Sequence, residues 1–509
     1  MALPFIVWAL VFVFSYTQSP LYTSNQNQYF LHGLANTGQG LLAQDWLANT
    51  FDPTPVFSLF VQAVAQYFHP WLFYLFAAFL IGFYFWLLVQ IVSSLHDQPR
   101  SRTEQAIFLS ILILIHSAAW RFALSRSLGA NWSYVLEDGF AGQRLLGPVL
   151  QPSMFGVLLL ASIWCFLKKK PFLAVLASGA AATIHPTYLL SAAALTLAYM
   201  VALFLEPTPT GESSFSRPRL IKIFLVGLCS FITVLPIVSY AYLTFGTTPA
   251  ETTAEARRIL VDFRIPHHVR PEVWFDGAAM VKLFILAAAI WVARKSRLAV
   301  LLIVPAIVGL TLSLIYVITR NDFLGLLFPW RISVFLVPIS SAILVDQLVR
   351  SWQASSWMKS IKIQRWSLVL AGALAVLALL VGITRQVLDF QRQVAAPEQE
   401  LFTFIKDHLQ EGQVVLTPVK MQEFRLATGS PVFVDFKSIP YRDLDVLEWY
   451  RRIKVADAFY KNPDCTSLAS LLDTEEITQI VVPASKLVNG CDFLTQVYHS
   501  SAYEIFSVR

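Results

Sequence analysis

Apolar runs divide most of this chain into segments of membrane-spanning length. They lie near residues 3–18, 70–95, 105–124, 149–167, 171–185, 187–205, 220–244, 277–293, 298–318, 327–349 and 367–384. A spanning helix needs ~20 predominantly apolar residues. The pattern therefore predicts a polytopic α-helical membrane domain of about eleven helices over residues 1–385. Basic clusters flank residues 171–206 on both sides, so this stretch must cross twice, with His185-Pro186 as a broken or tightly turned helix near one surface.

From residue 386 the text changes to that of soluble protein, with frequent charges and turn residues. Short β-branched or aromatic runs at 414–417, 432–436, 477–482 and 503–507 predict strands. Residues 398–408 and 442–460 read as helices; in the second, Leu444, Leu447, Trp449, Ile453 and Phe459 include spacings of three and four. A small α/β domain over 386–509 follows.

Charge orients the spans. Short cytoplasmic loops collect Lys and Arg. Arg100 and Arg102, Lys168 to Lys170, Arg217, Arg219 and Lys222, Arg294 to Arg297, and Arg350 to Arg365 (Lys359 and Lys362 among them) fall in alternate loops. The N-terminus is then cytoplasmic. The long first loop (19–69), the 125–147, 247–276 and 319–326 loops and the C-terminal domain lie on the other side. The first apolar run has no basic start and no small-residue cleavage site, which predicts a retained helix.

Composition agrees with a membrane protein: 56% hydrophobic, 14% charged and a mean hydropathy of +0.58 over 509 residues. The net charge of +6 is absorbed by cytoplasmic loops and gives no argument for nucleic acid. Cys165 and Cys229 lie in apolar runs and read as small buried hydrophobes. Cys465 and Cys491 share the outer domain, where they can form a disulfide, and their spacing is unlike a zinc site.

The first loop is the most informative stretch. It contains no Lys or Arg, and Asp45 and Asp52 are its only acids. Val56, Phe60, Ala63, Val64 and Tyr67 repeat at helical spacing, which predicts an interfacial helix; 26–36 predicts a second. Asp52-Pro53 is a turn signal, with Asp52 as a cap for the following helix. Asp45, against Leu41, Leu42, Ala43 and Trp46, is the candidate general base.

Other candidates follow on the same side. Glu137-Asp138-Gly139 reads as a turn, with sugar binding as the alternative for Glu137 and Asp138. Arg144 is nearby. RIPHHVRP supplies Arg264, His267, His268 and Arg270. Arg331 enters a span, where a charge must face protein or water. His185 and His116 lie within apolar runs; His116 reads as hydrogen bonded inside the bundle and His185 as a site residue. The adjacent His pair would need distant partners to bind metal, so no metal site is assigned.

One short span, a long outer loop with interfacial helices and an acid, many further spans and an outer α/β tail resemble the GT-C superfamily of integral-membrane glycosyltransferases. Protein mannosyltransferases and the lipid A aminoarabinose transferase belong to it. Those families carry an acidic pair early in the first loop, where this chain has Asn25-Gln26-Asn27-Gln28. The texts YFLHGLA…DWL, RIPHH and FRLATGSPVFVDFKSIPY more closely resemble a group of bacterial, often cyanobacterial, membrane proteins.

The resemblance implies a donor sugar on a polyprenyl phosphate, membrane lipid as surroundings and transfer to an acceptor at the outer face of a bacterial inner membrane. In that reading Asp45 is catalytic. Arg144, Arg264, His267, His268 and Arg331 hold the donor phosphate, and Glu137, Asp138 and His185 bind substrate. No cofactor beyond the lipid-linked sugar is implied, and a divalent metal is not indicated. The competing expectation is a non-enzymatic lipid-linked sugar transporter or envelope-assembly partner on the same scaffold.

Overall fold

The computed structural model describes residues 2–206, 216–246, 248–355, 360–484, 486 and 491–509. Lys359, counted above in a basic loop, lies outside them.

Every predicted apolar run is helical. The helices are Ala2–Tyr16, Trp71–Ser93, Arg102–Ile115 with Ala118–Leu128, Val157–Leu167, Pro171–Ile184, Leu189–Phe204, Arg217–Phe245, Gly277–Ala293, Arg297–Thr319, Ser333–Ala354 and Ile361–Val394. Six are long and apolar enough to cross a membrane, up to seven if the pair spanning 102–128 is one bent span. Four more are apolar but shorter. The bend has a local cause. His116 leaves helical geometry and Ser117 caps the next helix by accepting from the Trp120 amide. The His116 ring meets Ser341 Oγ and the Leu136 carbonyl, both at 3.2 Å, which agrees with a histidine hydrogen bonded inside the bundle.

Three of the long helices, Arg217–Phe245, Arg297–Thr319 and Ile361–Val394, expose most of their apolar surface. Exposed apolar area on this scale marks a surface that contacts a membrane or another protein. The architecture is that of a helical membrane protein with a small C-terminal sheet. The Ile361–Val394 helix runs through residue 386, so the change of domain comes at its end rather than at the expected boundary.

The C-terminal domain holds a four-stranded sheet of order β1-β2-β4-β3, formed by Val415–Leu416, Gln479–Pro483, Leu494–His499 and Tyr503–Val508. β1 and β2 are parallel and the other pairs antiparallel. The helices Glu398–Asp407 and Asp443–Lys461 stand where expected. The strand expected at 432–436 is reduced to a single bridge at Val432. The chain turns away because Asp435 Oδ1 accepts from the Ser438 amide at 2.7 Å. Cys465 and Cys491 are joined as a disulfide with Cα atoms 5.4 Å apart.

The first loop folds as short helices Gln26–Tyr29 and Leu31–Asn36, then Pro55–Tyr67. Asp52 accepts from the Thr54 amide at 2.8 Å, a turn that precedes the helix; the N-cap residue is Thr54, not Asp52. The amide-rich segment 25–28 stitches the loop in place. Asn25 donates to Gln151, Gln26 to the Leu150 carbonyl, and Gln28 exchanges two hydrogen bonds with the Ile439 backbone. The loop and the C-terminal domain also meet at Gly40 and Gly429. A Cβ on Gly40 would stand 2.6 Å from the Gly429 carbonyl oxygen, and its φ of +56° is one that other residues rarely adopt.

Candidate functional site: a cationic cavity without carboxylates

A cavity of about 740 Å³ opens between the helix ends, the first loop and the C-terminal domain. Among the described residues its lining contains Arg144, Arg264, Arg331 and Lys437, together with His185, His267 and His268, and no Asp or Glu. The lining also includes the apolar side chains of Leu189, Leu190, Ile237, Leu326 and Phe328.

Arg331 sits where a short 3₁₀ turn, Pro329–Ile332, leads into the Ser333–Ala354 helix. Its Nη1 donates to His185 Nε2 at 2.9 Å and to Thr187 Oγ1. Arginine only donates, so His185 accepts through Nε2 and is neutral with its proton on Nδ1. That Nδ1, like Arg331 Nε, is buried without a partner. No carboxylate pairs with Arg331 among the described residues.

Arg264 ends a π-helical turn, Ile259–Arg264. It donates through Nη2 to the Lys437 carbonyl at 2.6 Å and lies 5.0 Å from the centre of the Phe436 ring. Its Nε is also buried and unpartnered. Burial pulls the Lys437 ammonium below its ordinary value, and Arg264 adds to this. Tyr441 and Tyr29 lie within electrostatic reach of both Arg264 and Arg331. Tyr441 is 36% exposed and lines the cavity, so it is enclosure there that holds its phenol well above its ordinary value.

His268 Nδ1 donates to the Ala141 carbonyl at 2.6 Å and its ring centre is 4.1 Å from that of His267. Burial pushes His268 down to about 3. His267 is also lowered, first by burial and then by Arg264 and Lys437, yet it is exposed, because it faces open space in the cavity. It is thus a neutral imidazole with access to whatever enters.

Glu137 and Asp138 do not line the main cavity. Glu137 accepts from Tyr16 at 2.9 Å and pairs with Arg121 at 3.3 Å. Burial pushes it up to about 7, with Arg121 opposing. Asp138 pairs with Arg144 at 3.3 Å and Lys282 at 3.4 Å, and borders a smaller cavity of about 290 Å³ that shares Arg144 and His267 with the larger one. Gly139 is required beside them, because a Cβ there would stand 2.3 Å from Ser333 Oγ.

Asp45 is elsewhere. Its side chain is fully buried and does not line either cavity. Oδ1 accepts from the Leu47 and Ala48 amides at 2.9 and 3.3 Å, and Oδ2 from Arg425 Nε at 2.7 Å and the Val432 amide at 2.9 Å. A carboxylate has about four acceptor positions, and all are taken. The expectation of a lone, available base at Asp45 is corrected: the residue is a structural anchor between the first loop and the C-terminal domain.

Arg121, Lys282, Lys437, Tyr29 and Tyr441 were not among the expected site residues. Arg121 and Lys282 carried a signal, as cations inside apolar runs. Lys437 and Tyr441 carried none beyond their place in the FRLATGSPVFVDFKSIPY text. Among the described residues no group of three or more His, Cys, Asp or Glu is arranged to hold a metal.

A family model described as a domain of unknown function, DUF6798, matches residues 396–456. That segment contains Arg425 and Asp435 of the anchor and Lys437 and Tyr441 of the cavity. No curated protein matches the chain.

Proposed function

We propose that this chain is a GT-C-like glycosyltransferase of a bacterial inner membrane, which takes a sugar from a polyprenyl-phosphate carrier and passes it to an acceptor at the outer face. The observation that carries this reading is the cavity lining, with four cations, three histidines and no carboxylate alongside apolar side chains. A polyprenyl phosphate has the complementary form of anionic head and apolar tail. Arginine and lysine suit phosphate oxygens, and a desolvated site strengthens their attraction.

The topology that accompanies this proposal has eleven crossings, with the shorter apolar helices completing the count. The basic loops then face the cytoplasm, and the cavity and C-terminal domain face outward. In the reaction, His267 takes the proton of the acceptor hydroxyl. The acceptor oxygen bonds to the anomeric carbon, and the bond from that carbon to the phosphate oxygen breaks. The electron pair leaves on the polyprenyl phosphate, whose charge Arg264, Arg331 and Lys437 stabilise. Bound phosphate also raises the basicity of His267 when it is needed.

One observation favours the non-enzymatic reading, a transporter or envelope-assembly partner: Asp45 is fully engaged and no acid lines the cavity. The test is photo-crosslinking of a diazirine-bearing C55 polyprenyl phosphate to the purified chain in lipid nanodiscs, followed by incubation with polyprenyl-linked sugars from the source membrane. Adducts on peptides containing Leu189, Leu190 or Leu326 to Phe328 are expected, with release of unglycosylated carrier. Adducts confined to other surfaces refute the lipid site, and binding without release selects the non-enzymatic reading.

A further inference from the structure

We infer that the cavity is built for a diphosphate-linked polyprenyl carrier rather than a monophosphate-linked one; this rests on the lipid-phosphate reading above and deepens it. The argument is a charge count. Arg264, Arg331 and Lys437 line one cavity and have no carboxylate partner among the described residues. Their hydrogen-bonding neighbours are neutral: His185 accepts from Arg331, His268 donates to a carbonyl, and Tyr29 and Tyr441 are phenols. Carboxylates act on them only from behind the lining, Asp435 on Arg264 and Lys437 and Glu423 on Lys437, and Asp435 is itself paired with Arg425. The fourth cation, Arg144, shares Asp138 with Lys282, so that trio carries one further positive charge. Among the described residues the lining itself has no Asp or Glu.

Half-buried cations with no direct carboxylate partner favour a ligand that supplies the counter-charge. A sugar joined to a lipid through one phosphate is a diester with a single negative charge. A sugar joined through a diphosphate carries two; the carriers released on transfer carry about two and about three, so in each state the diphosphate supplies one more negative charge to a lining rich in cations.

The donor geometry supports the same count. Arg264 and Arg331 each keep a buried Nε without a partner. They belong to different walls, the 259–264 turn and the 329–332 turn, with Tyr29 and Tyr441 within reach of both. Lys437 adds a third position on the C-terminal domain. A phosphodiester offers two free oxygens to the donors on these three elements, whereas a diphosphate diester offers four. Leu189, Leu190, Ile237 and Phe328 in the same lining favour a lipid over a free anion.

The experiment measures binding of the detergent-purified full-length chain to C55 polyprenyl diphosphate, C55 polyprenyl monophosphate and inorganic diphosphate at fixed ionic strength, by native mass spectrometry and by thermal shift. The lipid diphosphate should bind roughly tenfold or more tightly than the lipid monophosphate, as one added charge near unpaired cations implies. It should also exceed inorganic diphosphate by at least as much. Lys437→Gln and Arg264→Gln should each reduce the diphosphate preference more than they reduce monophosphate binding, and Lys437→Arg should restore it. Equal or tighter monophosphate binding overturns this inference while leaving the lipid-phosphate reading intact. Absence of binding by either lipid overturns both. Inorganic diphosphate binding as tightly as the lipid would make the site one for a free anion.

Discussion

Asp45 and Arg425, 380 positions apart in sequence, form a buried ion pair with Oδ2 and Nε 2.7 Å apart. Arg425 also pairs with Asp435, so one guanidinium serves two carboxylates and ties the first loop to the C-terminal domain. The connection continues through Leu41, whose amide donates to the Gly429 carbonyl at 2.8 Å, and through Gln28 and Ile439. It has a consequence for the cavity: Lys437 and Tyr441 reach the lining only because this segment is held against the membrane domain.

The anchor predicts an order of stabilities. Arg425→Gln leaves two buried carboxylates without a counter-charge, whereas Asp45→Asn and Asp435→Asn each remove only one partner. Breaking a buried pair typically costs about 3–5 kcal/mol, so Arg425→Gln should be the most destabilising of the three. Thermal unfolding in detergent reads this directly. Asp45→Asn should lower the melting temperature and the yield together. An Asp45→Asn protein of native stability that has lost transfer activity alone would restore Asp45 as a catalytic base and remove the structural assignment.

The sequence carried the cavity better than the anchor. Arg331 and His185 stood out because charges and histidines within apolar runs are costly without a role, the 264–268 segment because it is dense in cationic donors, and the structure brings these into one lining. Asp45 stood out for the same reason, as a rare acid in a long uncharged loop. Its partner, however, lies in a segment with ordinary soluble composition, and local sequence contains nothing that pairs residues so far apart. The sheet shows the same limit. β3 was missed because it has no buried residue and only two that are half-buried, while Val432 to Phe436 has strand composition but is bent by the Asp435 turn.

Topology is tested by placing single cysteines at exposed positions near opposite ends of the bundle. Glu411 and Gln98 are both exposed. A membrane-impermeant maleimide applied to intact cells should label Glu411→Cys and spare Gln98→Cys until the membrane is opened. Peptide mapping without reduction should find Cys465 joined to Cys491. Replacing both by Ser should cost about 2–4 kcal/mol. Labelling of Gln98→Cys alone would reverse the orientation and place the cavity in the cytoplasm.

His268 makes stability depend on pH. Its folded value, about 3, lies below its unfolded value, so between the two the unfolded chain binds a proton that the folded chain refuses. Its contribution is therefore present above about 6.5 and is lost as pH falls toward 3. Between pH 7.5 and 5 the loss is about 2 kcal/mol. Glu137, raised to about 7, acts in the opposite direction, since its folded form holds the extra proton and stability falls as pH rises through about 4.5 to 7. The difference between proteins isolates His268. His268→Asn keeps a donor for the Ala141 carbonyl and cannot titrate, so its acid-induced drop in melting temperature should be smaller than in the natural chain. Equal drops would show that His268 is accessible to protons in the folded state.

His267 and Arg331 should fail in different ways if the cavity both binds and reacts. Arg331 has no carboxylate partner among the described residues, holds His185 through Nη1 and belongs to the lining, so Arg331→Gln removes a phosphate contact and an orienting bond together. Affinity for the lipid carrier should fall, by roughly 10-fold or more for a lost charge-assisted contact. His267 lines both cavities and is neutral, and nothing in its position requires it for the fold. His267→Gln should leave carrier affinity within about twofold and lower the rate of sugar transfer by roughly 10²-fold or more, the usual scale for removing a general base. The residual rate should then rise with pH, because the acceptor hydroxyl must lose its proton to solvent. Should His267→Gln weaken binding and leave the transfer rate of the bound donor unchanged, His267 is a phosphate contact, and the proton acceptor must be sought in the acceptor itself.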